Sequence, residues 1–479
     1  METKNKLKWW HIAIITFAVI IGLFSVFIRP TRWDEMHYVD PGAQLVLQGR
    51  MVSTVWVTNS PNELWASSNP GMPLLFACWF KVFGFGFIQS KILFFILHLS
   101  GVYVFFSWIR KKFNPSAGAL VLGISGSFIL PSLAESFYNL RLDVCSFSLF
   151  TFFLYYTWTK KENIFLNWFA PILFGFLLIL WGFHFALFYS LASVVAFVLI
   201  RNKISLVRAI AFFVGICLGI IILWLTYLHF NMWDTLIAAR SSHFGKILPW
   251  CPIGWHKLTV LSDWPIFLLL TSVGLLGNLK SDRSRWLPWI LALLVFFLVP
   301  FIISSIGIYY RAYIWMVALP MVLCFYYAEN LLKSWYRFFV AVILSCSLIV
   351  FSLYSINSLM QLYRDAQQIK TSINLIKEKI PPGSSIVADE KFYYQLIESG
   401  FKYYIHADSS AGACLGYKQD YFFPKNLRDQ VKCIVFSLPK GETSTQILSD
   451  MGGEWILIGN FPAPVKGKLH QEISIYRKK

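Results

Sequence analysis

The sequence predicts a polytopic α-helical membrane protein with a small α/β domain at its C-terminal end. Three observations predict it. Of the 479 residues, 57% are hydrophobic and only 14% charged, a balance foreign to soluble domains of this size. Apolar runs long enough to span a bilayer recur from residue 12 to residue 355. Beyond about residue 360 the apolar runs shorten to a few β-prone residues set between Pro and Gly turns. The aromatic share of 18%, with 20 Trp and 45 Phe, suits lipid-facing helices and interfacial belts.

The segment Met1–Trp10 followed by the apolar run 12–28 has the outline of a signal peptide. No small-x-small cleavage site follows, so the run is expected to remain as the first spanning helix. Further spans are expected at 87–109, 117–133, 142–159, 164–181, 183–200, 206–228, 264–279, 286–303, 312–331 and 338–355, about eleven in all. The nearly continuous stretch 164–200 is divided at Trp181-Gly182-Phe183-His184, because one helix of that length would overshoot the bilayer. Met72 to Gly86 is apolar but short, carries Lys81, and ends in Gly84-Phe85-Gly86; it is expected at the outer surface rather than across it. That assignment places Arg110-Lys111-Lys112, Lys160-Lys161, Arg201 with Lys203, Lys280 with Arg283 and Arg285, and Lys333 with Arg337 on the side of Lys4, Lys6 and Lys8, as the positive-inside rule requires. The outer face then receives the loops 29–71 and 229–263, the turns 134–141 and 304–311, and the C-terminal tail. The expected division is a membrane domain over 1–359 and an extracytoplasmic α/β domain over 360–479.

In that tail Ser385–Ala388, Lys432–Phe436 and Glu454–Ile458 read as short strands, separated by Pro381-Pro382-Gly383, Gly452-Gly453 and Pro462-Ala463-Pro464. Cys78, Cys145, Cys217, Cys324 and Cys346 fall in apolar segments and read as core filler. Cys251, Cys414 and Cys433 fall outside; whether Cys414 and Cys433 pair is left open. The net charge of +18 lies mostly in short loops between apolar runs, which assigns it to membrane topology and not to nucleic acid. There is no Walker loop, no strand-Gly-x-Gly-x-x-Gly-helix unit and no Gly-x-Ser-x-Gly, so neither nucleotide binding nor serine hydrolysis has a sequence basis.

The unusual charges collect on the outer side: Asp34, Glu35, Glu63, Glu135, Arg141, Asp143, Asp234, Arg240, His243 and Arg311. The pair Asp34-Glu35 follows directly on the first apolar helix, within Arg29–Val39. Ionisable groups at a bilayer edge are costly unless they are paired or used. One outward-facing polar site fed by several loops is the economical reading.

Four segments resemble a known family. Trp33-Asp34-Glu35-Met36-His37-Tyr38, just after helix one, is similar to the first outer loop of GT-C glycosyltransferases, in the branch holding protein O-mannosyltransferases and bacterial aminoarabinose lipid A transferases. Asn69-Pro70-Gly71-Met72-Pro73-Leu74-Leu75 with Phe83-Gly84 resembles a Pro-rich segment of that branch ending in Phe-Gly. Arg141-Leu142-Asp143 resembles its second acidic position, and Tyr310-Arg311-Ala312-Tyr313 leading to Leu319-Pro320 resembles a late Arg-x-Tyr…Pro helix. The match runs over about residues 10–330. One position departs: the lipid A transferases have Glu-Lys before Pro-Pro-Leu, where this chain has Pro70-Gly71 and its nearest upstream acid is Glu63.

The resemblance implies a GT-C-like fold in a bacterial inner membrane and transfer, with inversion, of a hexosyl or pentosyl group from a polyprenyl-phosphate sugar to a lipid, glycan or protein hydroxyl. Such a reaction needs a base for the acceptor hydroxyl, and Asp34 is the carboxylate expected there, as base or metal ligand, with Glu35 and Asp143 as further catalytic candidates. The leaving phosphate needs cations, expected from Arg311, Arg141 and Arg240. A divalent ion, Mg or Mn, between Asp34 and Asp143 could share that task. Tyr38, Glu63, His243 and Tyr310 are expected to contact substrate. The alternative is a transporter or flippase of lipid-linked glycans; it would place charges near helix midpoints and often shows repeated halves, and no repeat is present.

Overall fold

The computed structural model describes residues 7–31, 33–55, 64–66, 68–113, 117–129, 148–149, 163–182, 203–237, 334–405, 425–438, 448–449, 451–462 and 472–479. Most of the expected span 142–159 and all of 183–200, 264–279, 286–303 and 312–331 lie outside the described residues. The chain divides into two compact units. One comprises residues 1–26, 94–226 and 240–356, and the other 27–93, 227–239 and 357–479.

The described residues of the first unit lie mostly in helices. Helix α1 is Trp9–Ile28. It exposes Ile12, Phe17, Ile20 and Phe24 while burying Ala18, Ile21 and Val26. An apolar helix that leaves large side chains uncovered in this way suits a hydrocarbon surround. Later helices α4 (Phe87–Phe113), α5 (Ala117–Ile129), α6 (Ala170–Trp181) and α7 (Lys203–His229) overlap the segments expected to span at 87–109, 117–133, 164–181 and 206–228. A π-turn, Phe165–Phe169, precedes α6, and α6 stops at Gly182, where the sequence break was expected. Small residues set the helix contacts. A Cβ at Gly175 or Gly215 would strike backbone of the facing helix, and one at Gly219 would strike Ile179. Helices α6 and α7 therefore approach at backbone distance, as membrane helices do through small residues. Beside this contact the fully buried Arg208 donates from Nε to Asn167 Oδ1 at 2.9 Å. Among the described residues three helices are long and apolar enough to cross a membrane: Trp9–Ile28, Phe87–Trp108 and Leu206–His229.

The second unit holds the short helices after α1, the second half of the last long helix, and the sheet. The stretch expected as a polar loop after α1 contains α2, Trp33–Gln48. The sequence supports a helix there on inspection. Asp34 and Glu35 fall in its first turn, where negative charge is favoured by the helix dipole. Met36, Val39 and Ala43 bury one face at helical spacing. Helix α3 is Gly71–Phe83. At 13 residues it reaches only about 20 Å, less than the thickness of a bilayer core. Gly84 ends it with φ 81°, a left-handed cap that glycine adopts without strain. Helices α2 and α3 lie against each other. A Cβ at Gly42 would sit 2.5 Å from the Pro73 carbonyl oxygen and 2.8 Å from Phe76 Cβ.

The last helix, α8, runs Ser334–Lys379 without interruption. The expected span 338–355 is its first half. Its second half continues because Ile369, Ile373 and Ile376, with Ile380 just beyond, recur at three- and four-residue spacing and are all buried. The sheet has strands β1 (Ser385–Ala388), β2 (Lys402–Ile405), β3 (Val431–Leu438), β4 (Trp455–Phe461) and β5 (Glu472–Lys478) in the order β2-β1-β3-β5-β4. Strand β1 pairs parallel with β2 and β3, and β5 pairs antiparallel with β3 and β4. Between β1 and β2 a 3₁₀ turn, Glu390–Phe392, leads into the short helix α9, Tyr393–Glu398. The sheet core gathers Val387, Val431, Ile434, Phe436 and Met451. Cys433 is a buried free thiol in β3, its pKa pushed up to about 12 by burial. Cys414 lies outside the described residues.

Candidate functional site

The site is built on α2. Arg29 and Pro30 end the first spanning helix, and α2 starts three residues later, so Asp34 sits in the first helical turn after the membrane segment. Its side chain lies outside the described residues, as do Glu63, Arg141, Asp143, Arg240, His243, Tyr310 and Arg311. What the structure describes is the frame that holds this turn in place.

Glu35 is buried, 1% exposed. Its Oε2 accepts from Lys91 Nζ at 2.9 Å, and its Oε1 accepts from the Tyr394 hydroxyl at 2.9 Å. Lys91, in the first turns of α4, is itself 0% exposed and lies 5.0 Å from the Phe87 ring centre. A carboxylate engaged by an ammonium and a phenol has its charge balanced and its lone pairs directed.

Asp40 lies about a turn and a half further along α2 and is fully buried. Three donors converge on each of its oxygens. Oδ2 accepts from Ser53 Oγ at 2.8 Å, the Thr54 amide at 2.8 Å and the Val55 amide at 3.2 Å. Oδ1 accepts from Tyr393 OH at 3.0 Å, Thr54 Oγ1 at 3.1 Å and Gln44 Nε2 at 3.2 Å. This carboxylate fixes the 53–55 turn and α9 to α2. Between the two acids, Met36 Sδ lies 3.7 Å from the Tyr403 hydroxyl, which donates to the Ala388 carbonyl at 3.0 Å.

The three phenols are fully buried. Burial, and next the neighbouring carboxylate, push the Tyr393 and Tyr394 hydroxyls well above the usual tyrosine range: Asp40 acts on the first and Glu35 on the second. Burial does the same for Tyr403. All three stay protonated at any physiological pH; Tyr393 and Tyr394 donate to the acids of α2, and Tyr403 donates to the Ala388 carbonyl.

Tyr38 is half-buried on the same helix. His37 meets it edge-on at 5.3 Å and meets the Trp65 ring at 4.9 Å. Trp65 is held from several sides: its indole donates to Ser68 Oγ at 2.7 Å, its amide to the Met51 carbonyl at 2.6 Å, and its carbonyl accepts from Tyr227 OH at 2.8 Å. Asp234, the other expected outer charge that is described, is exposed on a short helical turn.

Asp40, Lys91, Tyr393 and Tyr394 carry this frame and were not among the residues the sequence singled out. Lys91 had a signal, as a lone cation in the apolar run that opens at Phe87. The tyrosines had none, because their role depends on a contact more than 300 residues away in the chain.

Among the described residues no group of three His, Cys, Asp or Glu side chains could hold a metal ion. The oxygens of Glu35 and Asp40 are already occupied by donors, which is the wrong arrangement for metal ligands. The expected Asp34–Asp143 pair lies outside the described side chains.

No protein-family model matches the chain, and no curated protein matches its sequence. Solved structures do match. ArnT from Cupriavidus metallidurans in the apo state aligns with a TM-score of 0.59 at 13% identity, over 97% of each chain. The same protein bound to undecaprenyl phosphate aligns at 0.60 and 13% identity, over 97% of this chain and 98% of that one. The mycobacterial arabinofuranosyltransferase AftD aligns at 0.52 and 12% identity, covering 99% of this chain and 40% of its own. The likeness of fold runs along nearly the whole chain and so includes the segments that carry the sequence resemblance.

Proposed function

We propose that this chain is an integral-membrane glycosyltransferase that moves a sugar from a polyprenyl-phosphate donor to an acceptor hydroxyl on the outer face of a bacterial inner membrane. The observation that carries the reading is the rigid mounting of the first turn of α2. Two consecutive acids stand where the first spanning helix ends, and the second of them, with Asp40, is locked by buried donors. A fold shared with a protein seen bound to undecaprenyl phosphate supports the choice of donor.

In this reading Asp34 takes the proton of the acceptor hydroxyl. The acceptor oxygen forms the new bond to the anomeric carbon from the face opposite the phosphate. The bond from that carbon to the phosphate oxygen breaks, and polyprenyl phosphate leaves with the electron pair, giving inversion. Arg141, Arg240 and Arg311 are the cations assigned to the departing phosphate, and Tyr38, Glu63, His243 and Tyr310 to the substrate. Asp143 supports Asp34 as second acid, and a divalent cation held by the two would screen phosphate charge. Glu35 mounts the helix, because its oxygens already accept from Lys91 and Tyr394. The sheet domain lies on the same outer side in this reading, with the lipid tail of the donor kept in the bilayer.

The test is mass spectrometry of lipids, glycans and glycoproteins from cells with and without the chain. One glycoconjugate is expected to lose a hexose or pentose, with its polyprenyl-phosphate sugar accumulating. Unchanged glycoconjugates, or an intact lipid-linked glycan trapped inside the membrane, would contradict transfer and favour a flippase.

A further inference from the structure

The sheet domain lays two adjacent tyrosines on α2, and the spacing matches the helix. Tyr394 reaches Glu35 and Tyr393 reaches Asp40, at 2.9 and 3.0 Å. The two acceptors are five residues apart on one helix, so the contacts fix both its position along its axis and its rotation about it. The donors come from one rigid piece. Helix α9 connects β1 to its neighbour β2 along the chain, and the Tyr403 hydroxyl of β2 bonds to the last residue of β1 beside Met36. The rings are packed as well as bonded. Tyr393 and Tyr394 meet edge-on at 5.0 Å, and Phe85 stacks on Tyr394 at 5.7 Å. The end of α9 adds a third hold, where Glu398 Oε1 accepts the Phe87 amide at 2.9 Å, one turn before Lys91.

A domain that merely hung from the membrane part would need none of this. Buried phenol-to-carboxylate bonds are short, directional and costly to leave unmade. We infer that Tyr393 and Tyr394 are positioning residues for the transfer reaction: the sheet domain completes the site by setting the register and rotation of α2, and so the place of Asp34. This inference rests on the reading of Asp34 as the base. Small misplacements of a catalytic group lower the chemical step far more than they lower binding.

The test uses the purified full-length chain in lipid nanodiscs, supplied with lipid extract from cells lacking it, and undecaprenyl phosphate as binding probe. Tyr394→Phe keeps the ring among its aromatic neighbours and removes only the hydroxyl; Tyr393→Phe does the same at Asp40. Each variant is expected to lower kcat about ten- to a hundredfold. KM for the extract and the affinity for undecaprenyl phosphate should stay within about twofold, with a cooperative melt retained. In an Asp34→Glu background, where the carboxylate is already displaced by a methylene, the further loss should fall to about threefold or less. If both phenylalanine variants turn over within about twofold of the parent, or their losses multiply fully with Asp34→Glu, the positioning role is overturned. Full turnover by Asp34→Asn would instead overturn the assignment of the base, whatever the tyrosine variants do.

Discussion

Asp34→Asn is expected to abolish sugar transfer while leaving folding and membrane insertion intact. Asparagine has the size and polarity of aspartate but cannot take a proton from an acceptor hydroxyl. General-base catalysis by a placed side chain is worth about 10²–10⁴-fold, and the variant should lose at least that much. The neighbouring frame gives the substitution its contrast. Among the described side chains, the contacts that hold α2 run through Glu35 and Asp40. Turnover of polyprenyl-phosphate sugar by the purified variant, beside its melting curve, checks this. A normal melt with lost turnover is the expected pair of results, and undiminished turnover would refute the role of Asp34.

Lys91→Met is expected to have the largest effect on stability. Lys91 and Glu35 are 0% and 1% exposed and 2.9 Å apart. Removing the ammonium strands a carboxylate in a site closed to water, which costs about 3–5 kcal/mol. Methionine fills a similar volume, so the loss comes from the uncompensated charge and not from a cavity. The double change Lys91→Met with Glu35→Gln should recover most of that loss, because a neutral amide can still accept from Tyr394. Thermal unfolding of the two variants in one detergent checks the argument. A single variant that melts with the parent would mean that water reaches the pair.

The elements that could be read in the sequence are those with a strong local signal. Helices α1, α4, α6 and α7 announce themselves by unbroken apolar length, and Gly182 marks the end of α6 as the sequence suggests. Strands β1, β3 and β4 were legible because Pro and Gly turns bracket them. Strand β2, KYYI, is four residues long with both tyrosines pairing into a parallel edge, and β5, EISIYRK, has only four uncharged residues between charged ends; neither carries a distinctive run. Helix α8 extends past the expected 338–355 because its apolar residues continue after residue 355 on one face only, a weaker local signal than an all-round apolar run. Helix α2 was hidden by Pro41 and by its polar ends, although its buried face has helical spacing.

The site shows the same division. Asp34-Glu35 stood out because acids beside an apolar helix are rare and costly. The pairing of Glu35 with Lys91 and Tyr394, and of Asp40 with Tyr393, could not be seen, because no local pattern encodes a contact spanning 56 or more than 350 residues. Identical chemistry in the sequence, two neighbouring carboxylates, thus resolves into a helix mount at Glu35 and a proposed base at Asp34.

The most direct measurement follows the donor lipid. Purified chain in nanodiscs is given polyprenyl-phosphate sugars drawn from cells lacking it, with matching acceptor extract, and the free polyprenyl phosphate is quantified together with the glycosylated acceptor. The account predicts one polyprenyl phosphate released for each sugar transferred, without added nucleotide, and neither product from Asp34→Asn. Sugar-linked lipid that crosses the bilayer unchanged, or transfer that persists in Asp34→Asn, would contradict it.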